Sequence, residues 1–387
     1  MENIINHTIK SYIEKISVKH RIKKKELKML WEKNTSNKKQ ELGQFFTTNY
    51  KYILQNFSIP ENITKIIEPF AGKGHLLNFI NDNTKYIIET YDIDPKLNST
   101  IKRDTLKNPP SYKHKFILTN PPYLARNKTS NKTLFDKYDT NDLYKCFIKQ
   151  IISDPSLGGI IIVPLNFWCS IRQSDIDLRQ KFLSVYHVIS INIFEERVFE
   201  DTSYTVCSFL FTQITENVLY KPINVFIYPN YNHLKVELNI KNNYTFGGEI
   251  YSLPQSQSFK VERLTLDNIE QSEFITNILV KCIDDNINNK ICLKLVKEKE
   301  RYCDDTPKRS ARSYATLIIK PKLTLEQQNN LVLLFNEFLN TKRDEYHSLF
   351  LTNYRESNSI CRKRISFSLV FEIINYLLSN YIYHIYT

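Results

Sequence analysis

The residues best equipped for chemistry are Asn120-Pro121-Pro122-Tyr123, which follow the apolar run Lys115-Phe116-Ile117-Leu118-Thr119. The run reads as a buried parallel strand. Two prolines must end it, because proline has no amide to give to the ladder. The strand end therefore carries an amide side chain (Asn120), a free carbonyl (Pro121) and an aromatic ring (Tyr123). Two oxygens that accept N–H bonds and a ring that stacks suit a flat, amino-bearing heterocycle. The same four residues also read as a plain turn, since Asn-Pro and Pro-Pro are common punctuators. What lies upstream decides between the two.

Three strand ends precede this one. Ile63 to Ile67 is a short strand closing on Glu68-Pro69-Phe70-Ala71-Gly72-Lys73-Gly74, with a helix expected from His75. Strand, glycine loop and helix open a nucleotide-binding unit. Gly72 and Gly74 let backbone approach a ligand, and the helix start offers free amides. The loop lacks both the dinucleotide fingerprint and the Gly-Lys-Ser/Thr ending of a phosphate loop. The carboxylate of Glu68 stands where a phosphate binder would want none, which argues for a ligand bearing positive charge. Lys85 to Tyr91 forms the second strand, closing on Asp92-Ile93-Asp94-Pro95. An acid about twenty residues past the glycine loop is where ribose hydroxyls are held, so Asp92 is the choice, with Ile93 beside the adenine ring. A third strand near Thr100 to Lys102 ends at Arg103-Asp104-Thr105, and Asp104 is placed to accept from an adenine amine. Any one of these acids alone reads as an ordinary turn. Their repetition at successive strand ends does not.

The elements that must position these groups alternate strand and helix. Glu41 to Thr48, with Phe45 and Thr47, reads as a loop or a lid ahead of a helix burying Ile53, Leu54 and Phe57. Arg126 to Lys132 reads as a mobile basic loop. A helix opens at Asp142-Leu143-Tyr144. Strands are expected at 160–163, 187–193 and 205–211, with a helix near 177–183, giving a mostly parallel sheet closed by a hairpin-like pair. After about residue 220 the alternation breaks, and strand-like runs at 223–227 and 316–319 and two closing helices are assigned to a second domain. Residues 1–38 read as a basic helical arm.

The chain has 387 residues, 42% of them hydrophobic, and a formal net charge of +12. A polyanionic partner suits that charge, although Lys- and Asn-rich composition also follows from AT-rich coding. No apolar run is long enough to span a bilayer, and Met1-Glu2-Asn3-Ile4 has no signal-peptide layout. The seven cysteines, with no Cys-x-x-Cys pair, read as reduced thiols and not as disulfides or a metal site. A cytoplasmic protein is expected. Basic, aromatic-interleaved stretches that could contact phosphates or bases include Lys308, Arg309 and Arg312, then Arg362 and Arg364, joined by Arg126 and Lys128 after the Asn120 loop.

Assembled, these residues resemble the gamma class of adenine-N6 DNA methyltransferases, the modification enzymes of restriction systems. The likeness covers about residues 41 to 213. Gly43-Gln44-Phe45-Phe46-Thr47 resembles the lid, Phe70, Gly72 and Gly74 the glycine loop, and Asn120 to Tyr123 the catalytic loop. The resemblance implies a Rossmann-like, seven-stranded α/β domain that binds S-adenosylmethionine, at 39–220. A basic α+β target-recognition domain would follow, at 221–387. It places Phe45, Thr47, Glu68, Phe70, Gly72, Gly74, Asp92, Ile93 and Asp104 around the cofactor, with Glu68 facing its methionine end. It implies that Tyr123 and Phe199 sandwich a flipped adenine. Thr105 stands where an aromatic often follows the cofactor acid. The implied partners are duplex DNA, bound by a monomer, and a separate cognate restriction endonuclease, in a bacterial cell or a virus-infected host cell. An RNA adenine-N6 methyltransferase is the second reading, ahead of a protein-glutamine methyltransferase, and a methyltransferase fold used only as a binding clamp is the third.

Overall fold

The computed structural model describes residues 47–82, 84–199, 204–215, 221–284, 290–304, 313–357 and 360–382, with backbone alone at 352–361 and 382. The expected arm at 1–38, Phe45, Lys308, Arg309 and Arg312 lie outside the described residues. The chain divides into two compact units. The first is built on residues 60–154 with 47–50 and 199, and the second on 51–59, 155–198 and the residues beyond 203.

The first unit carries four strands, β1 (Lys65–Glu68), β2 (Ile87–Asp92), β3 (Ile101–Lys102) and β4 (Phe116–Thr119). They lie in the order β3-β2-β1-β4, and all the pairs are parallel. Ile66, Ile67, Phe116, Ile117 and Leu118 are all buried, as expected of strands covered on both faces. From β1 the chain moves outward to β2 and β3, then returns to place β4 on the other side of β1. The order therefore reverses between β1 and β4, and in open parallel sheets the crevice beyond such a reversal is where ligands bind. The register brings the strand ends level, because Glu68 pairs with Thr90, Ile67 with Ile117 and Asp92 with Lys102. Asp92, Asp104 and Asn120 all emerge at that edge.

Two helices follow β4: α1 (Thr133–Tyr138) and α2 (Leu143–Ser153). Gln150 of α2 is buried and fully engaged. Its Nε2 donates to the carbonyls of Thr105 and Leu106 at 3.0 Å each, and its Oε1 accepts from Tyr112 Oη at 3.0 Å. One amide thus fastens α2 to the loop that bears Asp104. The segment expected as a basic loop carries several internal contacts. Arg126 to Lys128 forms a 3-10 turn, Lys132 Nζ donates to the carbonyls of Arg126 and Thr129, and Arg126 pairs with Asp136 at 2.5 Å. The helix expected from His75 is a five-residue 3-10 turn, His75–Phe79. The polar run after Ile80 ends it.

In the second unit β5 (Gly158–Pro164), β6 (Tyr186–Phe194) and β7 (Val206–Gln213) lie in the order β5-β7-β6, with β7 antiparallel to both neighbours. Helix α3 (Gln173–Val185) packs its Phe182 among Phe167, Trp168, Phe209 and Phe211, with ring centroids 5.4–6.4 Å away. The expected break at residue 220 is not where the sheet stops. Strand β8 (Ile223–Tyr228) runs parallel to β6, and β9 (Asn232–Val236) pairs antiparallel with β8. The alternation of β8, buried at Ile223, Val225 and Ile227, suits a strand added to an existing sheet.

Beyond β9 lie a sheet of β10 (Lys260–Arg263), β14 (Tyr314–Lys320), β11 (Ile275–Lys281) and β13 (Cys292–Leu295), and a smaller one of β12 (Ile283–Asp284), β16 (Ile360–Arg364) and β15 (Thr352–Ser357). The helices α4 (Leu325–Tyr346) and α5 (Phe367–Leu377) close a common core with them. The expected capping box opens α4: Thr324 Oγ1 accepts from Gln327 N at 3.1 Å, and Gln327 Oε1 accepts from Thr324 N at 2.9 Å. In β16, Lys363 is buried and pairs with Glu195 Oε1, whose other oxygen meets His347 Nε2 at 3.1 Å. Burial raises the Glu195 carboxyl, but the His347 and Lys363 contacts outweigh it and hold it at about 2. Arg362 and Arg364 flank Lys363 on the opposite face of the strand, both half-buried. Among the described residues no helix is long and apolar enough to cross a membrane.

Candidate active site

The glycine loop is shaped by its own backbone and by Asp92. Gly72 and Gly74 sit at φ 52° and 73°, in the left-handed region that glycine enters without a Cβ penalty. Ala71 N donates to Tyr91 O at 2.9 Å, and Gly74 N to Ala71 O at 2.7 Å. The Asp92 carboxylate accepts from Gly72 N at 2.8 Å through one oxygen and from Asp94 N at 2.7 Å through the other. It is buried, and it clasps the loop while lining the cavity beside it. Each of its oxygens keeps a further lone pair for a hydroxyl.

That cavity holds 340 Å³ and is lined by Phe70, Gly72, Asp92, Ile93, Asp104 and Asn120, the residues the sequence put forward. Ile93 is 43% exposed, which leaves an apolar face open to a planar ring. Asp104 accepts from Lys107 N at 3.1 Å through Oδ1. The cavity wall also contains Thr105, which the resemblance placed there, and residues that the sequence reading did not assign to it, among them Arg103, Leu134, Phe135 and Leu143. Thr105 cannot act as an aromatic wall, and its hydroxyl is taken by Pro69 O at 3.0 Å. The apolar pair Leu134-Phe135, set in a strongly polar stretch, was the available signal for α1.

Next to this cavity is a narrower space of 30 Å³ bordered by Thr47, Glu68, Phe70, Gly72, Lys73, His75 and Asn120. Glu68 is 2% exposed, and its Oε2 has no hydrogen-bond partner among the described residues. Burial, and then the Asp92 charge, push its carboxyl well above the usual carboxylate range. An orphaned buried acid facing a cavity is the electrostatic complement of a cation.

The Asn120 side chain is held at both ends. Its Nδ2 donates to Thr47 Oγ1 at 3.0 Å, and its Oδ1 accepts from the Tyr123 hydroxyl. The carboxamide oxygen is thereby oriented. Pro122 lines the cavity, and Pro121 is buried. Tyr123 departs from expectation. It is 3% exposed and meets Tyr144 edge-on at 6.2 Å, so it does not present an open stacking face. A buried phenol needs a partner for its hydroxyl, and Oδ1 of Asn120 provides it. Phe199, expected as the opposing ring, is 4% exposed and lines neither space. Tyr123 and Phe199 therefore form no open slot here.

Behind the loop, Asp142 Oδ1 accepts from Leu124 N at 3.1 Å. Burial raises its carboxyl to about 6, against the opposing pull of Lys145 and nearby amides. Cys146, Cys169 and Cys207 are buried free thiols, and burial pushes those of Cys146 and Cys207 up. Of the expected nucleic-acid contacts, Lys128 is exposed and Arg126 is engaged with Asp136.

No family model matches the chain, and no curated protein matches it. Solved structures give partial likenesses. The type I restriction-modification methyltransferase subunit from Streptococcus thermophilus shares 11% identity, with 48% of this chain and 48% of that chain covered and a TM-score of 0.37. The EcoKI type I restriction enzyme M protein shares 17% identity over 55% of this chain and 53% of its own, at a TM-score of 0.35. The DrdV–DNA complex gives 12% identity over 64% and 36%, at 0.41. The chain spans about half the length of the first two.

Proposed function

We propose that this chain transfers a methyl group from S-adenosylmethionine to N6 of an adenine flipped out of duplex DNA, as a modification enzyme of a restriction system. The observation that carries the reading is the orphaned carboxyl of Glu68 one loop away from the oriented amide of Asn120. Glu68 would hold the ammonium of the methionine end, Asp92 the ribose hydroxyls, and Ile93, Phe70 and Asp104 the adenine. The cofactor, when bound, supplies an activated methyl group.

The chain's own residues prepare the acceptor. An exocyclic adenine nitrogen is a poor nucleophile because its lone pair is delocalised into the ring. Asn120 Oδ1, once Tyr123 has let go of it, and the Pro121 carbonyl would accept its two hydrogens and favour the charge that develops on attack. Removing one preorganised partner of this kind costs ~3–4 kcal/mol, or about a hundred- to a thousandfold in rate. Tyr123 would turn out of its buried position to stack on the base, releasing Oδ1, with Phe199 opposite. Arg126, Lys128, Arg362 and Arg364 would meet phosphates, as would Lys308, Arg309 and Arg312. With β8 and β9 joined to β6, the proposed catalytic part runs to Val236 and the proposed recognition part follows it.

The test is methyl transfer from tritiated S-adenosylmethionine to duplex DNA, RNA and protein, with wild type and Asn120→Ala. Transfer to adenine in duplex DNA, lost in Asn120→Ala with cofactor binding retained, is the expected outcome. Turnover near wild type in that variant would remove the proposed role of Asn120, and transfer to RNA alone would favour the RNA enzyme.

A further inference from the structure

The outer face of the β8–β9 hairpin carries a ladder of rings that the catalytic reading leaves unused. Phe226 and His233 are directly paired across the strands, as are Asn224 and Lys235, so all four side chains share one face. The Phe226 and His233 rings lie 4.7 Å apart and within 15° of parallel. Tyr231 stacks on Phe226 as well, at 6.1 Å and 27°. The inward face of the hairpin is a conventional core of Val225, Ile227 and Val236, all buried. The rings therefore lie on a hairpin that is already anchored through its other face, with Tyr231 also meeting Tyr228 at 5.9 Å.

Two details set this face apart from stray surface aromatics. Tyr231 is 60% exposed although its ring is stacked, so one side of the ladder remains open. It also sits at φ 51°, a left-handed conformation that is a genuine outlier for a bulky residue. A turn-forming Asn or Gly would occupy that position without strain. Meanwhile His233 is fixed by its Nε2 contact with Asn224 Oδ1 at 3.2 Å, so its ring plane is set in advance. Exposed Lys235 lies one residue pair along.

We infer that the β8–β9 face is a stacking platform for unpaired nucleobases, with Tyr231 and His233 taking successive bases of a single-stranded stretch and Lys235 meeting its phosphates. Parallel rings beside an amide and a lysine match the composition of sequence-tolerant single-strand binders, in which every base offers a π-face. The chain's net charge of +12 complements the polyanion. A protein partner would be better served by a patch without lysine and amide groups among its rings. The inference is separate from methyl transfer and does not depend on it.

The test is fluorescence anisotropy of the full chain with a labelled oligothymidylate, with a duplex of equal length for comparison. Tyr231→Gly relieves the backbone strain but deletes the ring and its contacts with Phe226 and Tyr228, so thermal unfolding of each variant is recorded alongside binding. It and His233→Ala should each weaken single-strand binding about tenfold or more. Tyr231→Phe should retain binding, and Lys235→Met should flatten the salt dependence. Methyl transfer to a short duplex, measured on the same variants, should stay as in wild type. If wild type binds the oligonucleotide but methylates nothing, the catalytic reading fails and the platform stands. The platform is overturned if Tyr231→Gly and His233→Ala bind as wild type does. It is equally overturned if sedimentation shows these variants changing self-association through the β9 edge while leaving oligonucleotide affinity untouched.

Discussion

Replacing Glu68 with Gln keeps the shape of the side chain and removes its charge. In the folded protein the carboxyl is held well above its ordinary value by burial, reinforced by Asp92. The folded state therefore keeps a proton that the unfolded chain releases. The stability this provides is complete below the unfolded value near 4.5 and is lost as pH rises through the folded one. Across that window wild type should lose about 1.4 kcal/mol per pH unit relative to Glu68→Gln. Urea unfolding of both proteins at a series of pH values from 5 to 8 measures the difference directly. The same carboxyl should ionise when a cation fills the adjoining space, so S-adenosylmethionine binding should release a proton. Calorimetry in phosphate and Tris buffers would report it as a difference in apparent enthalpy. A charge-assisted hydrogen bond contributes ~1.5–3 kcal/mol, so Glu68→Gln should weaken the cofactor roughly ten- to a hundredfold. Parallel stability–pH curves, together with identical proton release and affinity in the two proteins, would refute the reasoning.

Further outcomes follow from other parts of the structure. Asp142→Asn removes an acid raised from its ordinary value to about 6, so its contribution is full below about 4 and lost as pH rises through 6. The variant should keep the Leu124 contact, and its melting temperature should fall less than wild type's between pH 4 and 7. Gly74→Ala places a Cβ 2.5 Å from Leu97 Cδ1 at φ 73°. Leu97 can turn aside, so the cost is mainly the backbone conformation, ~1–2 kcal/mol in urea unfolding. Lys363→Met strips Glu195 of a buried partner and should cost ~2–4 kcal/mol, with His347 softening the loss. The double variant with Glu195→Leu should recover most of that in the same assay.

The parts legible in the sequence were those set by local chemistry. Continuous apolar runs fixed β1, β4 and β5, two prolines fixed where β4 must stop, and Gly72 and Gly74 marked a loop of positive φ. The convergence of Glu68, Asp92, Asp104 and Asn120 could be anticipated because acids recurred at strand ends, and the parallel register does the rest. What escaped depends on which partner each polar group takes, and composition and periodicity do not show that. The 3-10 turn at His75 carries the same apolar spacing as a short α-helix, so periodicity could not separate them. The 126–132 stretch looks polar and loose in sequence, yet Lys132 spends its ammonium on two main-chain carbonyls and Arg126 finds Asp136. The pairing of β8 with β6 was not legible either, because composition shifts near residue 220 while the sheet continues. The motif showed that Tyr123 and Asn120 are near each other, but not that the phenol hydroxyl donates to the amide oxygen three residues away.

The fastening of the 126–136 segment has a consequence for exchange. Thr129, Asn131, Leu134 and Phe135 form one side of the larger cavity, and Arg126–Asp136 is a half-solvated ion pair. Pairs of this kind weaken in electrolyte, whereas the main-chain carbonyls that receive Lys132 carry no net charge. Concentrated salt should therefore unhook one fastening and largely spare the other. Ligand traffic past this wall should quicken with ionic strength while the wall itself stays in place.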